Sequence, residues 1–269
     1  MLRAMERHAD NIDTASSTTD GVSATSLAGG AIRHVWHGLQ FTYTMLWTAG
    51  WIVVALMVMV LSRDRALALR MASRCWSPGL LWGSDVIVEG LDRVDWSRPH
   101  LVVANHQSMI DICALFDAVP VPLHFLLKQE MRRVPFVGWY ARATGMLFIE
   151  RDSRRAGALL RRQAAALLRG GATLCLFPEG TRSRSGAVAP FKGGAFQSAI
   201  DADAQVVPVA LVGTGDVLPV DGFFRARPGP IRVRIGTPLP VRVDGVPAER
   251  QQLARDAHAA VVSMLRRAS

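Results

Sequence analysis

The sequence predicts an α/β protein, with a mixed central sheet flanked by helices and preceded by an N-terminal membrane-associating helical segment. Two observations predict it. Short apolar runs, typical of buried strands, recur between residues 86 and 235, and helical stretches lie between most of them. Ahead of them, residues 39–61 contain no charged side chain, and this run is long enough to cross a bilayer.

Composition divides the chain into three regions. Residues 1–30 are rich in Ser, Thr, Ala, Gly and Asp and nearly lack large apolar side chains, so we expect a disordered tail. Residues 31–78 are predicted to form a membrane-anchoring helical segment. Within it, arginines alternate with apolar residues over 65–76, as in a basic helix at a membrane interface. An ordinary surface helix is the alternative there. Residues 79–269 form the main domain.

The main domain contains seven predicted strands, at residues 86–88, 101–104, 124–127, 146–149, 173–177, 206–212 and 231–235. Helices are predicted over 153–169, 191–202 and 247–267. The first of these helices carries its leucines on one face, and Gly170 and Gly171 end it.

Charge and cysteine content narrow the possible partners. The chain has 31 Lys and Arg against 22 Asp and Glu, a net charge of +9, which suits nucleic acid, anionic membranes or acidic substrates. The arginines are not interleaved with aromatics and no nucleic-acid-binding motif is present, so we expect no nucleic-acid partner.

Three cysteines and scattered histidines predict reduced thiols in a cytosol-facing protein and no metal site.

His106 and Asp111 form the first candidate catalytic pair. His106 follows the apolar run 101–104, and an aspartate about one helical turn further on can reach back to its imidazole. Such a pair is the minimum equipment of a general base. Ser108 and Asp111 also match a capping box that merely starts a helix, so the pair alone leaves both interpretations open. Cys113 could complete a nucleophilic set, but a cysteine in an apolar run is usually packed, and we reject it as a nucleophile.

A second motif, at residues 177–183, joins the first in a fixed order of four blocks. The blocks are Asn105 and His106 through Asp111; Lys128, Pro135, Gly138 and 145–151; 177–183 followed by 190–194; and 207–211. Together they resemble the glycerolipid acyltransferase family, which contains the 1-acylglycerol-3-phosphate acyltransferases. The resemblance covers roughly residues 75–240, and four blocks in order are far more specific than any one alone.

The resemblance implies acyl transfer from a thioester to an alcohol, with His106 as general base and Asp111 as its orienting carboxylate. It also implies a phosphate-bearing acceptor, because Arg182 and Arg151 can bind phosphate through their guanidinium forks. The expected substrate-binding residues are Lys128, Arg151, Glu179, Gly180, Thr181 and Arg182. Without the family, 177–183 would be read as a strand-to-helix turn capped by Thr181 or Ser183. Arg151 would likewise be read as a solvated charge.

The implied enzyme is a 1-acylglycerol-3-phosphate O-acyltransferase. It would move a fatty acyl group from acyl-CoA or acyl-carrier protein to the sn-2 hydroxyl of lysophosphatidic acid, giving phosphatidic acid, with no cofactor beyond this co-substrate. Arginines at 63, 65, 70 and 74 follow the apolar run, which predicts an inner (cytoplasmic) membrane protein whose catalytic domain faces the cytoplasm. The alternatives are a lyso-lipid acyltransferase with another acceptor, such as lyso-ornithine lipid, an acyl thioesterase, and a non-catalytic membrane adaptor.

Overall fold

The computed structural model describes residues 24–149, 154–221 and 225–266, with backbone alone at 24–31 and 154–155. The stretch up to Trp36 is a unit of its own, and residues from His37 onward form the unit that holds the sheet. Of the predicted tail 1–30, residues 1–23 lie outside the described residues. The first helix begins at Ala24, inside that tail, because extending an existing helix costs far less than nucleating one.

Helices make up the N-terminal part of the described chain. They are α1 (Ala24–Ser62), α2 (Arg65–Met71), a π-helical turn (Ala72–Trp76) and α3 (Ser77–Leu80). Asp64 caps α2, because its carboxylate accepts hydrogen bonds from the backbone N–H groups of Ala66 and Leu67. Helical structure over the predicted interval 65–76 is therefore confirmed.

One stripe of α1 packs on the segment that follows it. Trp47 donates from its indole to the Trp76 carbonyl, and Trp76 donates in return to the Thr48 hydroxyl. Tyr43 donates to the carbonyl of Gly79. A Cβ at Gly79 would lie 2.3 Å from the Trp47 ring, so this close approach requires glycine.

Between Ile32 and Ser62, much of the remaining surface of α1 is apolar and exposed. Its span Ile32–Ser62 has 31 residues and contains an 18-residue window with a mean hydropathy of 2.1, long and apolar enough to cross a membrane by length and composition. Only 11% of that window is buried, whereas the core helix of a soluble domain buries most of its length. Its outward face includes Leu46, Val53, Met57, Val60 and Leu61.

Seven strands form the predicted mixed sheet, in the order β1-β7-β6-β2-β5-β3-β4. They are β1 (Val86–Glu89), β2 (His100–Ala104), β3 (Leu123–Lys128), β4 (Leu147–Ile149), β5 (Thr173–Leu176), β6 (Gln205–Val212) and β7 (Ile231–Ile235). Strands β6, β2, β5, β3 and β4 run parallel, and β7 pairs antiparallel with β6 and parallel with β1. All seven predicted strands and the fold class are confirmed.

The helices of the main domain are α4 (Asp111–Ala118), α5 (Val137–Thr144), α6 (Arg154–Arg169), α7 (Phe196–Ala202), α8 (Thr214–Val217) and α9 (Arg250–Arg266). A hairpin of β8 (Arg242–Val243) and β9 (Val246–Pro247) precedes α9. Two predicted boundaries were wrong. Pro247 lies in β9 and not in the last helix. The helix expected over 191–202 begins only at Phe196, because the chain just before it is tied to the turn after β5 by the hydrogen bond from the Lys192 N–H to the Pro178 carbonyl.

Both faces of the sheet are buried. In β2, Leu101 and Val103 belong to a core that includes buried side chains of α6, α7 and α9. Val102 and Ala104 belong to the opposite core, which includes α4. Covered faces are typical of parallel sheets and explain why β2 is buried throughout and apolar at every residue after His100.

The parallel strands place the family's blocks at one edge. Strands β2, β5, β3 and β4 share a direction, so their carboxyl ends lie at the same edge of the sheet. His106 comes shortly after β2, Phe177 directly after β5, and Lys128 is the last residue of β3. Residues far apart in sequence therefore meet at one site.

Candidate active site

His106 and Asp111 are in direct contact. The imidazole Nδ1 lies 2.7 Å from Oδ2 of Asp111, and the exposed fractions of the two side chains are 18% and 0%. In the neutral ring, Nδ1–H donates to the carboxylate, which leaves the lone pair on Nε2. A buried carboxylate thus orients a partly accessible imidazole, and the general-base role of His106 stays a prediction.

Asp111 also holds the turn between β2 and α4. Its Oδ2 accepts hydrogen bonds from the backbone N–H groups of Gln107, at 2.7 Å, and Ser108, at 2.9 Å. The Ser108 hydroxyl in turn accepts from the N–H of Ile110. The two interpretations of this motif are therefore compatible, because one carboxylate both caps the turn and orients the histidine.

The His106 ring is fixed on one face by Phe177. The two ring centroids lie 4.0 Å apart, and the ring planes are inclined by only 12°. Phe177 comes directly after β5, so the second motif supports the ring supplied by the first. Stacking and the Asp111 hydrogen bond together restrict the imidazole to one orientation.

Asn105 anchors the end of β2 to its neighbour. Its side-chain amide donates to the Leu211 carbonyl at 3.0 Å and accepts from the Leu211 N–H at 2.8 Å, both in the buried interior. On the other side, the Ser183 N–H donates to the carbonyl of His106 at 2.7 Å. Sequence reasoning counted Asn105 only as part of a motif and missed this positioning role.

Glu179 positions backbone in this structure. Its Oε1 accepts from the N–H of His106 at 2.7 Å, and its Oε2 accepts from the N–H of Ala189 at 2.9 Å. The side chain is buried, and burial raises the pKa of its carboxyl, although the two amide hydrogen bonds oppose that shift. Both oxygens have backbone partners, so the geometry favours a positioning residue over the predicted substrate ligand.

Lys192 is a functional candidate that sequence reasoning did not single out. Gly180 has a φ of +75°, and a Cβ there would lie 2.7 Å from the Lys192 ammonium nitrogen. The Lys192 N–H also donates to the carbonyl of Pro178. The sequence did point to Lys192, because this residue lies in the third block. Only the folded chain, however, places its side chain over the turn at Gly180.

The family assignment rests on this geometry together with similarity. The family model described as Acyltransferase matches residues 85–212, from β1 to the end of β6. That interval contains His106, Asp111 and Glu179. Over this interval the chain matches the acyltransferase family.

Named relatives of this chain agree with the resemblance. A Chlamydomonas reinhardtii protein named 1-acyl-sn-glycerol-3-phosphate acyltransferase is 35% identical over 217 residues, which are 79% of this chain and 63% of that protein. A Saccharomyces cerevisiae protein of the same name is 32% identical over 193 residues, 70% of this chain and 63% of its own length. The chain thus spans less than two thirds of the length of these curated relatives.

A solved structure shares the fold. The crystal structure of the 1-acyl-sn-glycerophosphate (LPA) acyltransferase PlsC from Thermotoga maritima matches with a TM-score of 0.71 and 29% sequence identity. The match covers 89% of this chain and 99% of that one. It includes the mixed sheet whose carboxyl edge carries the candidate site.

The other predicted substrate-binding residues have different surroundings in the structure. Arg182 is partly exposed and Thr181 is exposed, and among the described residues no hydrogen bond or ion pair engages the Arg182 guanidinium. Lys128 is exposed at the end of β3, on the same edge. Arg151 lies outside the described residues, so its predicted role stays a prediction.

Cys113 has the environment of a packed thiol. It is buried in α4, and burial, aided by Asp111 and Asp117, raises the pKa of its thiol to about 12. A thiolate there is strongly disfavoured, which agrees with our rejection of Cys113 as a nucleophile. Within the described ranges, no group of three or more His, Cys, Asp or Glu side chains could hold a metal ion.

Proposed function

We propose that this chain is a 1-acyl-sn-glycerol-3-phosphate acyltransferase, which moves a fatty acyl group to the sn-2 hydroxyl of lysophosphatidic acid and forms phosphatidic acid. The observation that carries the proposal is the contact of 2.7 Å between His106 and Asp111, on an edge that also bears cationic side chains. The family and the names of the relatives support the same reaction.

His106 acts as a general base in a direct transfer. Its Nε2 takes the proton of the acceptor hydroxyl while that oxygen attacks the thioester carbonyl carbon. The carbon–sulfur bond of the resulting intermediate then breaks, and the departing thiolate receives the proton from the imidazolium. Asp111 stabilises the imidazolium in between. A thioester is already activated, so this route needs no acyl-enzyme.

Cationic side chains bind the acceptor phosphate and bring its hydroxyl to the base. Arg182 and Lys192 belong to the third block, and Lys128 ends the strand beyond β5. Arg151 is assigned to this set by the family motif. Charge-assisted hydrogen bonds to phosphate are among the stronger polar contacts, and they favour a phosphate over a zwitterionic headgroup.

The acyltransferase works at the inner membrane, with its catalytic domain facing the cytoplasm. The exposed apolar face of α1 supports membrane insertion, and the arginines after it favour the cytoplasmic side. Acyl-CoA and acyl-carrier protein are both acidic, so a chain of net charge +9 attracts either donor.

One assay separates this function from its alternatives. The full-length protein in detergent is given labelled acyl-CoA or acyl-carrier protein with lysophosphatidic acid, with lyso-ornithine lipid, or with no acceptor. We expect labelled phosphatidic acid from lysophosphatidic acid alone. Free fatty acid without an acceptor would indicate a thioesterase, and a preference for lyso-ornithine lipid would overturn the phosphate assignment. If no product forms under any of these conditions, the non-catalytic membrane adaptor is the alternative that remains.

A further inference from the structure

A second exposed apolar surface lies next to the active-site edge, in the connection between β3 and β4. There the chain leaves β3 at Lys128, forms a 3-10 turn (Gln129–Arg133) and enters α5. Val134 is 39% exposed and Trp139 is 50% exposed. An exposed tryptophan is uncommon inside a folded domain, but its ring suits the boundary between water and lipid.

Basic side chains surround these apolar residues. Arg132, Arg133 and Arg142 are exposed, and a single carboxylate, Glu130, accompanies them in the turn. Arg142 follows Trp139 by three positions on α5, so the two share one face of that helix. An apolar centre with a basic surround complements a bilayer surface that carries anionic headgroups.

The exposed residues are held by a tightly packed backbone. Gly138 approaches the turn so closely that a Cβ would lie 2.3 Å from the Arg132 carbonyl oxygen, and its N–H donates to the Val134 carbonyl. Phe136 has a φ of +59°, a strained value for a side chain of this size, and its ring packs 5.1 Å from that of Trp139. Strain of this kind is typical of functional surfaces.

The same surface continues onto the segment that follows α1. Tyr140, the neighbour of Trp139, is largely buried and donates its hydroxyl to the Ala68 carbonyl of α2, at 3.0 Å. The exposed arginines of α2 are Arg65 and Arg70. Helix α5 therefore packs directly on the basic helix that follows the apolar span.

We propose that residues 132–142, hereafter the docking platform, seat the active-site edge on the surface of an anionic bilayer. Val134 and Trp139 enter the interface, and the platform arginines pair with lipid phosphates. The proposal rests on the proposed function, since an acceptor that resides in a bilayer must reach His106 from the membrane surface. Anchoring by α1 keeps the protein at the membrane, whereas the platform sets which edge of the domain faces it.

Paired variants of the full-length protein test the platform. One carries Val134→Ala with Trp139→Ala, and another carries Arg132→Gln with Arg133→Gln. The matched control carries Val246→Ala with Arg250→Gln, which are exposed residues of β9 and α9. Transfer is measured to lysophosphatidic acid in anionic vesicles and to a short-chain lysophosphatidate that stays monomeric in solution. Melting temperatures verify that each variant folds.

We expect the platform variants to raise the apparent KM for the vesicle-borne acceptor about tenfold and to leave the short-chain acceptor unchanged. For the arginine pair, the rise should shrink in high salt, since each arginine near an anionic surface contributes about a fivefold effect at low salt. The control variant should match the wild type on both acceptors.

Tryptophan fluorescence supplies a second measurement that needs no turnover. Wild type and Trp139→Phe are compared in vesicles that contain brominated phospholipid, which quenches tryptophan at the interface. Seven tryptophans contribute to the signal, so the difference between the two proteins isolates Trp139. We expect the wild type to lose a component of emission that the variant lacks.

Each other result overturns a defined part of the inference. Equal losses on both acceptors would make 132–142 part of the substrate site, and a loss confined to acyl-carrier-protein donors would make it a carrier surface. Either result would refute membrane docking. If the wild type transfers to neither acceptor, the proposed function fails. In that case the fluorescence comparison between wild type and Trp139→Phe decides alone. Stronger quenching of the wild type would support the docking platform, and equal quenching would refute it.

Discussion

The Glu179 carboxylate holds the backbone of His106, since its Oε1 accepts the His106 N–H at 2.7 Å. The other carboxylate oxygen holds Ala189, so one buried side chain joins the turn after β2 to the loop after β5. The two most recognisable motifs of the chain are therefore mechanically connected. His106 is held at its backbone by Glu179, at its Nδ1 by Asp111 and on one ring face by Phe177.

His106→Ala should reduce transfer by about 100- to 10,000-fold while the protein still folds, because the ring is partly exposed and contributes little to the core. Asp111→Asn should lose somewhat less, since the ring would be misoriented and not absent. Turnover and thermal melting are measured on the same preparations. Retention of more than a tenth of the rate with an unchanged melt would refute the general-base assignment.

Glu179→Gln should lower kcat about 100-fold with little change in KM for the acceptor. The NH2 group of the introduced glutamine would face the backbone N–H of either His106 or Ala189. Because two donors repel each other, the backbone of His106 would shift by a fraction of an ångström. The buried N–H that loses its acceptor should also lower the melting temperature. An increase in acceptor KM at constant kcat would instead make Glu179 a substrate ligand.

Gly180→Ala should raise the acceptor KM by displacing the Lys192 ammonium, because the new Cβ needs the space that Nζ occupies. The positive φ of Gly180 adds roughly 1 kcal/mol of backbone strain. Lys192→Ala removes the ammonium without that strain and serves as the comparison. If Lys192→Ala changes neither acceptor KM nor its dependence on salt, this lysine has no part in phosphate binding.

Acid should destabilise the fold through two buried histidines. Burial lowers the pKa of His100 and of His124, so the unfolded chain takes up protons below about pH 6.5 that the folded chain does not. The free energy of unfolding should therefore fall as pH drops below 6.5, by at most about 1.4 kcal/mol per pH unit for each histidine. Urea midpoints at pH 7.5, 6.5 and 5.5 measure this slope.

The matched variant for that slope is the double replacement His100→Leu and His124→Leu. It removes both titrating rings while keeping apolar volume on β2 and β3. Its urea midpoints should change less between pH 6.5 and 5.5 than those of the wild type. An identical slope would assign the acid sensitivity to other groups.

The strands and the base pair were predictable because their causes are local. Strand β2 is buried at every position and apolar after His100 because both faces of the sheet are covered, and His106 and Asp111 lie close together in sequence. Contacts between distant segments were not predictable. Lys192 reaches Gly180 only through the loop that Glu179 closes, and Gly193 lies against the side chain of Gln251 in α9.

The two faces of α1 should separate membrane retention from folding. Met57 is 57% exposed and Ile52 only 7%, although both lie in the same apolar span. Met57→Lys should leave thermal melting in detergent unchanged but make the protein extractable from membranes by high salt, because a lysine in the hydrocarbon costs about 2.5–3.5 kcal/mol. Ile52→Lys should instead lower the melting temperature, because it buries an unpaired charge against the domain. If Met57→Lys stays membrane-bound in high salt while Ile52→Lys is released, the face assigned to the bilayer is the wrong one.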